Sequence, residues 1–373
     1  MTAKLILVTG ATGYIASRLI PQLLERGYRV RALARQPERL QSRVWYPQVE
    51  MVRGDVMEPE SLVSALDGVH TAYYLIHNMT FGRGYTSIEI EGARNFANAA
   101  EQAGVEHIIY LGGLADPEQH IAPHMRSRIE TGMTLRQGSV PVTEFRAGVI
   151  AGSGSISFEM IRFMAELFPI IPGPTWLRNK SNPIAVQNVI DYLLAALTNP
   201  NGRGGVYEVG VRKTYTYVEL MKIYAEMRGH KRMFILLPFI PVWFMAFGID
   251  LMTPVPRRIA YALVGGLSSD SVILHDVAEK TFPEVKLMDY ESAVAEAMTR
   301  LHPLTIEPVW DTRQNAALKH EGFFIQFRKD RPARQLTYKK FSFGEEWSDG
   351  QTVFFAPFGL RGFLYALLRG YWW

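Results

Sequence analysis

Cysteine is absent from all 373 residues. Its absence excludes disulfide bonds, thiolate zinc sites, iron–sulfur clusters and a cysteine nucleophile. No HExxH motif occurs, and the histidine pair His120 and His124 has no nearby set of carboxylates to complete a metal site. We therefore expect no metal centre, and any redox reactivity has to come from a bound organic cofactor.

The chain also lacks a long apolar run. The N-terminal MTAKLILVTGATG has no signal-peptide pattern, so we expect a cytoplasmic protein, with the inner face of a membrane as a further option. Phe234–Ile249 is uncharged over 16 residues but is interrupted by Pro238, Pro241 and Gly248. A spanning helix needs about 20 apolar residues, so a buried helix or pocket wall is favoured over membrane contact.

The chain likewise has no large excess of positive or negative charge. Forty basic residues face 36 acidic ones, and the basic residues are scattered along the chain. This pattern predicts no nucleic-acid partner. A content of 48% hydrophobic and 20% charged residues is typical of a folded globular protein, and the length suggests two lobes with a remainder.

Apolar β-branched runs alternate with helical spacing through the first 150 residues. The runs 4–9, 30–34, 49–52, 71–76, 107–111 and 142–150 are predicted strands. This alternation predicts an α/β fold with a Rossmann-type, doubly wound parallel sheet. We expect a nucleotide-binding domain at 1–154, a mostly helical substrate lobe at 155–302 of which 183–209 returns to the first domain, and a C-terminal extension at 303–373.

A glycine-rich segment joins the first strand to the first helix. Gly10 suits a tight turn, Gly13 lets the backbone approach a pyrophosphate, and the small Ala16 allows the helix to pack closely on the strand. The amides of a helix N-terminus hold phosphates. The segment therefore predicts dinucleotide binding by Thr9, Gly10, Ala11, Thr12, Gly13, Tyr14 and Ile15.

The second strand ends without the carboxylate that would bind the ribose 2′-hydroxyl of NAD. Arg35 and Arg31 could instead pair with a 2′-phosphate, so NADP(H) is predicted over NAD(H). The alternative is that both are solvated surface arginines. Asp55 and Val56 follow the third strand and are expected to meet the adenine.

Several segments together resemble a known family. TGATGYIA, RALAR, GDV, IIYLGGL, PHMRSRIETG and VTEFRAGVIAGSGS are similar to atypical, extended short-chain dehydrogenase/reductases, and most of all to NmrA-like bacterial NAD(P)H-binding proteins. The complex I accessory NADPH-binding subunit is also similar. The resemblance covers about residues 1–300 and extends to an abbreviated C-terminal domain, for which we expect a strand or hairpin and a terminal helix. It also suggests a homodimer.

The resemblance implies a serine, a tyrosine and a lysine that this chain lacks. Gly112 and Gly113 stand where the serine belongs, while His124 and Arg128 stand at the tyrosine and lysine positions. His124 titrates near neutral pH and could donate a proton, although a structural role is the more common one for such a histidine. Arg128 could bond the nicotinamide ribose, and His77 could line the nicotinamide pocket.

The sequence therefore predicts an NADPH-dependent reductase of a hydrophobic small molecule that is quinone-, isoprenoid- or enone-like. A non-catalytic NAD(P)H-binding protein with a structural, assembly or redox-sensing role is the alternative, because the triad is missing. The aromatic tail 354–373 could contact a bilayer interface or dock on the protein core.

Overall fold

The computed structural model describes residues 4–77, 85–119, 121–167, 169–252, 257–299, 323–327, 337–340 and 352–356. The helices are α1 Tyr14–Glu25, α2 Pro59–Leu66, α3 Tyr85–Gln102, α4 Pro123–Leu135, α5 Ile156–Leu167, α6 Val186–Thr198, α7 Tyr217–Met227, α8 Val242–Met252, α9 Arg257–Gly266, α10 Ala278–Thr281 and α11 Tyr290–Thr299. The strands are β1 Leu5–Val8, β2 Arg29–Ala34, β3 Glu50–Arg53, β4 Thr71–Tyr74, β5 His107–Gly113, β6 Val142–Ala147, β7 Ile150–Ala151, β8 Ile170–Pro174, β9 Lys180–Ser181, β10 Ile184–Ala185, β11 Val206–Val209, β12 Tyr215–Thr216, β13 Met233–Leu237, β14 Phe323–Phe327, β15 Thr337–Lys340 and β16 Thr352–Ala356.

A seven-stranded parallel sheet is the centre of the fold. Its strand order is β11-β6-β5-β4-β1-β2-β3, so the order reverses between β1 and β4. Helices α1 and α6 pack together on one face, and α2, α3 and α4 cover the other. Because both faces are covered, the central strand β1 is buried on both sides and is a continuous apolar run rather than an alternating one. The predicted Rossmann-type fold is confirmed.

One of the two edge strands of this sheet, β11, comes from late in the chain. β11 pairs in parallel with β6, and the short β10 pairs with β7. Segment 183–209 thus adds a strand and a covering helix, α6, to the sheet. The domain boundaries themselves stay a prediction.

The second lobe is built mainly from helices. Helices α5, α7 and α11 share a core that includes Phe158 and Tyr224, and α8 packs against α9. β13 pairs in parallel with β8 at the side of this lobe. Buried Glu166 accepts hydrogen bonds from the Tyr224 hydroxyl at 2.8 Å and from Arg228 Nε at 2.9 Å, which ties α5 to the end of α7.

In the C-terminal extension the described residues form one antiparallel sheet, in which β14 lies between β15 and β16. The predicted terminal helix lies outside the described residues, as does most of the aromatic tail.

Candidate functional site

The glycine turn after β1 is tightly constrained. Gly10 has φ +63°, and a Cβ there would lie 2.7 Å from the carbonyl oxygen of Leu75. The Gly13 amide donates to the Gly10 carbonyl at 2.7 Å, and α1 begins at the next residue without a side-chain N-cap. A bare helix N-terminus behind a turn without side chains is a site for an anion. The geometry therefore fits the pyrophosphate of a dinucleotide.

A cavity of about 750 Å³ opens from this turn. It runs along the carboxyl ends of the sheet strands, where the strand order reverses, which is where doubly wound folds bind ligands. Polar residues lie at the sheet end, and the far end is apolar. Of the predicted residues, Gly10, Ala11, Thr12, Gly13, Tyr14, Ile15, Arg35, Asp55, Val56, His77, His124 and Arg128 line it.

Thr9 does not line the cavity, unlike the residues that follow it. Its side chain is fully buried. The Thr9 hydroxyl donates to the Tyr73 carbonyl at 3.0 Å and accepts from the Leu75 amide at 3.1 Å. Thr9 therefore fixes the end of β4 beside β1, and so sets the position of the Leu75 carbonyl that requires glycine at position 10.

Arg31 also lies away from the cavity. Its guanidinium donates to the carbonyls of Ala65 at 2.9 Å and Asp67 at 2.7 Å, at the C-terminus of α2, and pairs with Glu50 at 2.8 Å. The carbonyl end of a helix attracts a cation, which explains this orientation. Arg31 caps α2 and is absent from the cavity wall.

Arg35 and Asp55 keep their predicted positions at the cavity. Arg35 is exposed directly after β2. Glu38, the first carboxylate after that strand, pairs with Arg53 and does not line the cavity. Asp55 Oδ1 accepts the Met57 amide at 3.0 Å, which holds the loop after β3 in place.

The structure adds a polar cluster that the sequence did not reveal. Glu89 of α3 is buried, its Oε1 lies 3.2 Å from His77 Nδ1, and its Oε2 accepts the Ser127 hydroxyl. His77 Nε2 is buried in the cavity region and has no hydrogen-bond partner among the described residues. An acid in a predicted helix looks like a solvated one, so no sequence signal pointed to Glu89. His77 is the only indication, because it ends a strand at the ligand-binding edge.

Both cavity histidines are neutral at physiological pH. Burial, together with the Arg128 charge, lowers the pKa of His124 from 6.5 to about 3 and that of His77 to about 4. The expectation that His124 titrates near neutral pH is therefore wrong for the free protein. A neutral imidazole still offers one N–H donor and one acceptor to a ligand.

Arg128 packs against Gly113, one of the two positions at which the resemblance implies a serine. A Cβ at Gly113 would lie 2.7 Å from Met125 Cε and 2.9 Å from Arg128 Cδ. Arg128 is half-buried, and its Nε has no hydrogen-bond partner within the described part of the chain. The guanidinium thus brings a cation to the polar end of the cavity.

The apolar end is formed by the second lobe. Met160, Met164, Met221, Met245, Ile249, Leu263 and Val264 line it. The expectation of a buried pocket wall at Phe234–Ile249 is correct for Met245 and Ile249. It is wrong for Phe239, Trp243 and Phe244, whose side chains are exposed.

The NmrA-like family matches residues 2–256, and the chain belongs to this family. Its sheet and cavity give it the fold of NAD(P)-binding reductases. The structure of Citrobacter sp. triphenylmethane reductase complexed with NADP(H) is similar, with a TM-score of 0.64 and 23% identity over 78% of this chain and 99% of that one. The structure of Escherichia coli NADPH-dependent quinone oxidoreductase complexed with NADPH is also similar. Its TM-score is 0.61, and it is 19% identical over 79% of this chain and 99% of that one.

Relatives by sequence have diverse names. A Caulobacter vibrioides ceramide reductase is 28% identical over 62% of this chain and 73% of its own length. The photosystem II assembly factor Ycf39 of Cyanophora paradoxa is 24% identical over 60% of this chain and 68% of its own length. A 3-beta-hydroxysteroid dehydrogenase of Mycolicibacterium neoaurum is 32% identical over 28% of this chain, which spans only 31% of that relative.

Proposed function

We propose that the protein is an NADPH-dependent reductase that transfers a hydride to a hydrophobic quinone-, isoprenoid- or enone-like molecule. One observation carries the proposal. A single cavity of about 750 Å³ joins the glycine turn to a wall of methionine, leucine and isoleucine side chains. A volume of this size holds a nucleotide end and a small apolar ligand side by side. The reductases described above are named for a triphenylmethane, a quinone and a ceramide, which are also largely apolar compounds.

The cofactor end supports NADPH over NADH. Gly10 and Gly13 shape the turn for the pyrophosphate, and Asp55 and Val56 lie where the adenine would rest. Arg35 is the cation at the end of β2, and no carboxylate there lines the cavity. An arginine pairs with a phosphate in a bidentate, charge-assisted manner, which favours a 2′-phosphate over a 2′-hydroxyl.

The bound nicotinamide would supply the hydride. Arg128 would place a positive charge where negative charge develops on the substrate oxygen, and it would also bond the ribose hydroxyls. His124, neutral because it is buried, would donate an N–H hydrogen bond to that oxygen. Preorganised donors of this kind stabilise a developing oxyanion. A water molecule would deliver the proton that completes the alcohol or hydroquinone, since a neutral imidazole is too weak an acid to give up its ring proton.

His77 has a positioning role at the same end of the cavity. Because its Nδ1 faces the Glu89 carboxylate at 3.2 Å, we place the ring proton on Nδ1. Nε2 is then an acceptor directed at a ligand N–H or O–H.

The test is oxidation of NADPH by the purified protein with a panel of quinones and enones. We expect Arg128→Met and His124→Phe to lower kcat by about 10²-fold or more, the loss measured for single oxyanion donors, with little change in NADPH affinity for His124→Phe. Arg126→Met is the matched control, since Arg126 is an exposed arginine on the same helix. Equal turnover in all three variants would remove both residues from the mechanism.

A non-catalytic role is the second candidate. The observation favouring it is that the space of the catalytic serine is filled by Met125 and Arg128. The related Ycf39 is named as an assembly factor, which shows that similar chains serve other ends. NADPH that co-purifies with the protein, and that no acceptor in the panel oxidises, would decide for this role.

A further inference from the structure

An apolar surface is exposed on the outer side of the second lobe. β13 alternates, with Met233, Ile235 and Leu237 exposed and the residues between them directed inward. Its parallel partner β8 adds exposed Ile170 at the position opposite Met233. A solvent-facing strand surface normally carries polar side chains, and this one has none.

The surface continues into the following loop and helix. Phe239 is 98% exposed, and Trp243, Phe244 and Phe247 are each about half exposed on α8. The rings of Trp243 and Phe244 contact edge to face, with centroids 5.8 Å apart. We call the exposed side chains of β13, loop 238–241 and α8 the outer apolar face.

The parts of this face lie next to each other because loop 238–241 joins them directly and their inner sides pack on two neighbouring cores. Phe234 and Leu236 of β13 pack against the core shared by α5, α7 and α11, and Met245 of α8 packs against the core shared by α8 and α9. Met164 and Trp176 pack against both cores. The outward sides of β13 and α8 are therefore neighbours on the surface.

Phe239 is held on this face at a cost. It is the only non-glycine residue with positive φ in the described part of the chain, at +67°. A left-handed conformation is unfavourable for a residue with a Cβ, and aromatic residues rarely adopt it. A strained and fully exposed phenyl ring adds nothing to the folded core, which points to a role at the surface.

Positive charge borders the apolar surface. Exposed Lys231 lies two residues before Met233, at the start of β13, whereas exposed Lys222 of α7 lies against the inward-directed ring of Phe234, with its Nζ 6.0 Å from the ring centre. No Asp or Glu occurs between residues 228 and 249. Arg228 is neutralised by Glu166, whereas Glu226 is the exposed acid on the adjoining helix. Aromatic side chains beside lysines are the composition that binds an anionic lipid interface.

We propose that the outer apolar face docks on an anionic lipid bilayer, with Phe239, Trp243, Phe244 and Phe247 inserted at the headgroup level. No helix among the described residues is long and apolar enough to cross a membrane, and this docking needs none. Because Met245 and Ile249 on the other side of α8 line the cavity, docking places the apolar end of the cavity one helix away from the lipid. This last step rests on the proposed function.

The test is co-sedimentation of the full chain with vesicles of phosphatidylglycerol and phosphatidylethanolamine. We expect binding, and at least a tenfold weaker partition for W243S/F244S/F247S. V63S/M133S removes exposed apolar side chains on the other lobe and should bind as the original protein does. K231Q should bind anionic vesicles about fivefold more weakly than the original protein and be unchanged on phosphatidylcholine.

F239N separates docking from misfolding. Asparagine tolerates positive φ better than phenylalanine, so this variant should melt at a higher temperature while it binds vesicles more weakly. Unchanged vesicle binding by F239N and by the triple variant would overturn the proposal. It is equally overturned if W372S/W373S alone abolishes binding, or if the triple variant converts a lipid-free dimer into a monomer, because the face would then be a subunit interface.

The outcome does not depend on the proposed function. If no acceptor is reduced in the NADPH assay, the reductase fails and the vesicle result stands. If the reductase is active, W243S/F244S/F247S should reduce a long-chain quinone dissolved in vesicles more slowly and a short, water-soluble quinone at the original rate.

Discussion

The buried imidazole of His107 predicts how stability depends on pH. His107 is 4% exposed at the start of β5, outside the cavity, and burial lowers its pKa from 6.5 to about 4. In the unfolded chain the pKa returns to about 6.5, so below that pH the unfolded state binds more protons. Stability is therefore complete above about pH 6.5 and is lost as the pH falls toward 4. Two protonation equilibria with these pKa values differ by about 2 kcal/mol at pH 5.

The assay is urea unfolding of the original protein and of His107→Asn at pH 7, 6 and 5. Asparagine keeps a polar, uncharged amide near the Thr143 hydroxyl, which His107 Nε2 contacts at 2.8 Å, and it does not titrate. Between pH 7 and pH 5 the original protein should lose about 2 kcal/mol more than the variant. His77 and His124 are present in both proteins, so their contributions cancel. His275→Asn is the control, since that side chain is 76% exposed.

The prediction is refuted if the original protein and His107→Asn lose the same free energy of unfolding between pH 7 and pH 5. Such a result would mean that water reaches the His107 ring in the folded state, or that Thr143 holds the charged form.

Three further predictions concern the cofactor end. Gly10→Ala and Gly27→Ala both place an alanine at positive φ, which lowers the free energy of unfolding by about 1–2 kcal/mol each. Only at position 10 does the new Cβ also meet the Leu75 carbonyl. Gly10→Ala alone should therefore weaken NADPH binding, by tenfold or more in calorimetry. Arg35→Gln should weaken NADPH binding by about 10- to 100-fold, the value of a charge-assisted hydrogen bond, and leave NADH binding unchanged. Arg31→Met should lower the melting temperature and leave the NADPH-to-NADH ratio intact; a changed ratio would return Arg31 to the cofactor site.

The glycine turn was predictable because its chemistry is a backbone requirement. Gly10 and Gly13 have no side chain to orient, so their spacing after an apolar strand specifies the geometry. The parallel sheet was also predictable, because apolar strands that alternate with helices bury their side chains in a parallel sheet covered by those helices.

The two arginines show where a strand pattern stops being informative. Arg31 and Arg35 have the same parity and so project to the same side of β2, yet four residues separate them by about 13 Å along the strand. Only Arg35 reaches the ligand-binding edge. Arg31 lies beside the carbonyl end of α2, a neighbour that the sequence alone does not identify.

A helix with almost no polar residues poses the same difficulty. Asp250 is the one charged residue of α8, and the first eight residues of the helix are all uncharged, so their sequence does not distinguish the face that lines the cavity from the face in solvent. Glu89 is the opposite case, since a buried acid in α3 cannot be told from an exposed one until His77 and Ser127 are found beside it.

Gly266 links the two ends of the cavity. It is the last residue of α9, and a Cβ there would lie 2.9 Å from the His124 ring. The catalytic candidate on α4 therefore rests directly on the backbone of a helix whose Leu263 and Val264 form the apolar wall. If α9 shifts to accommodate a larger substrate, Gly266 moves with it and the His124 ring changes position. In the proposed reductase, substrate size and the hydrogen bond from His124 to the substrate oxygen would therefore be coupled through α9.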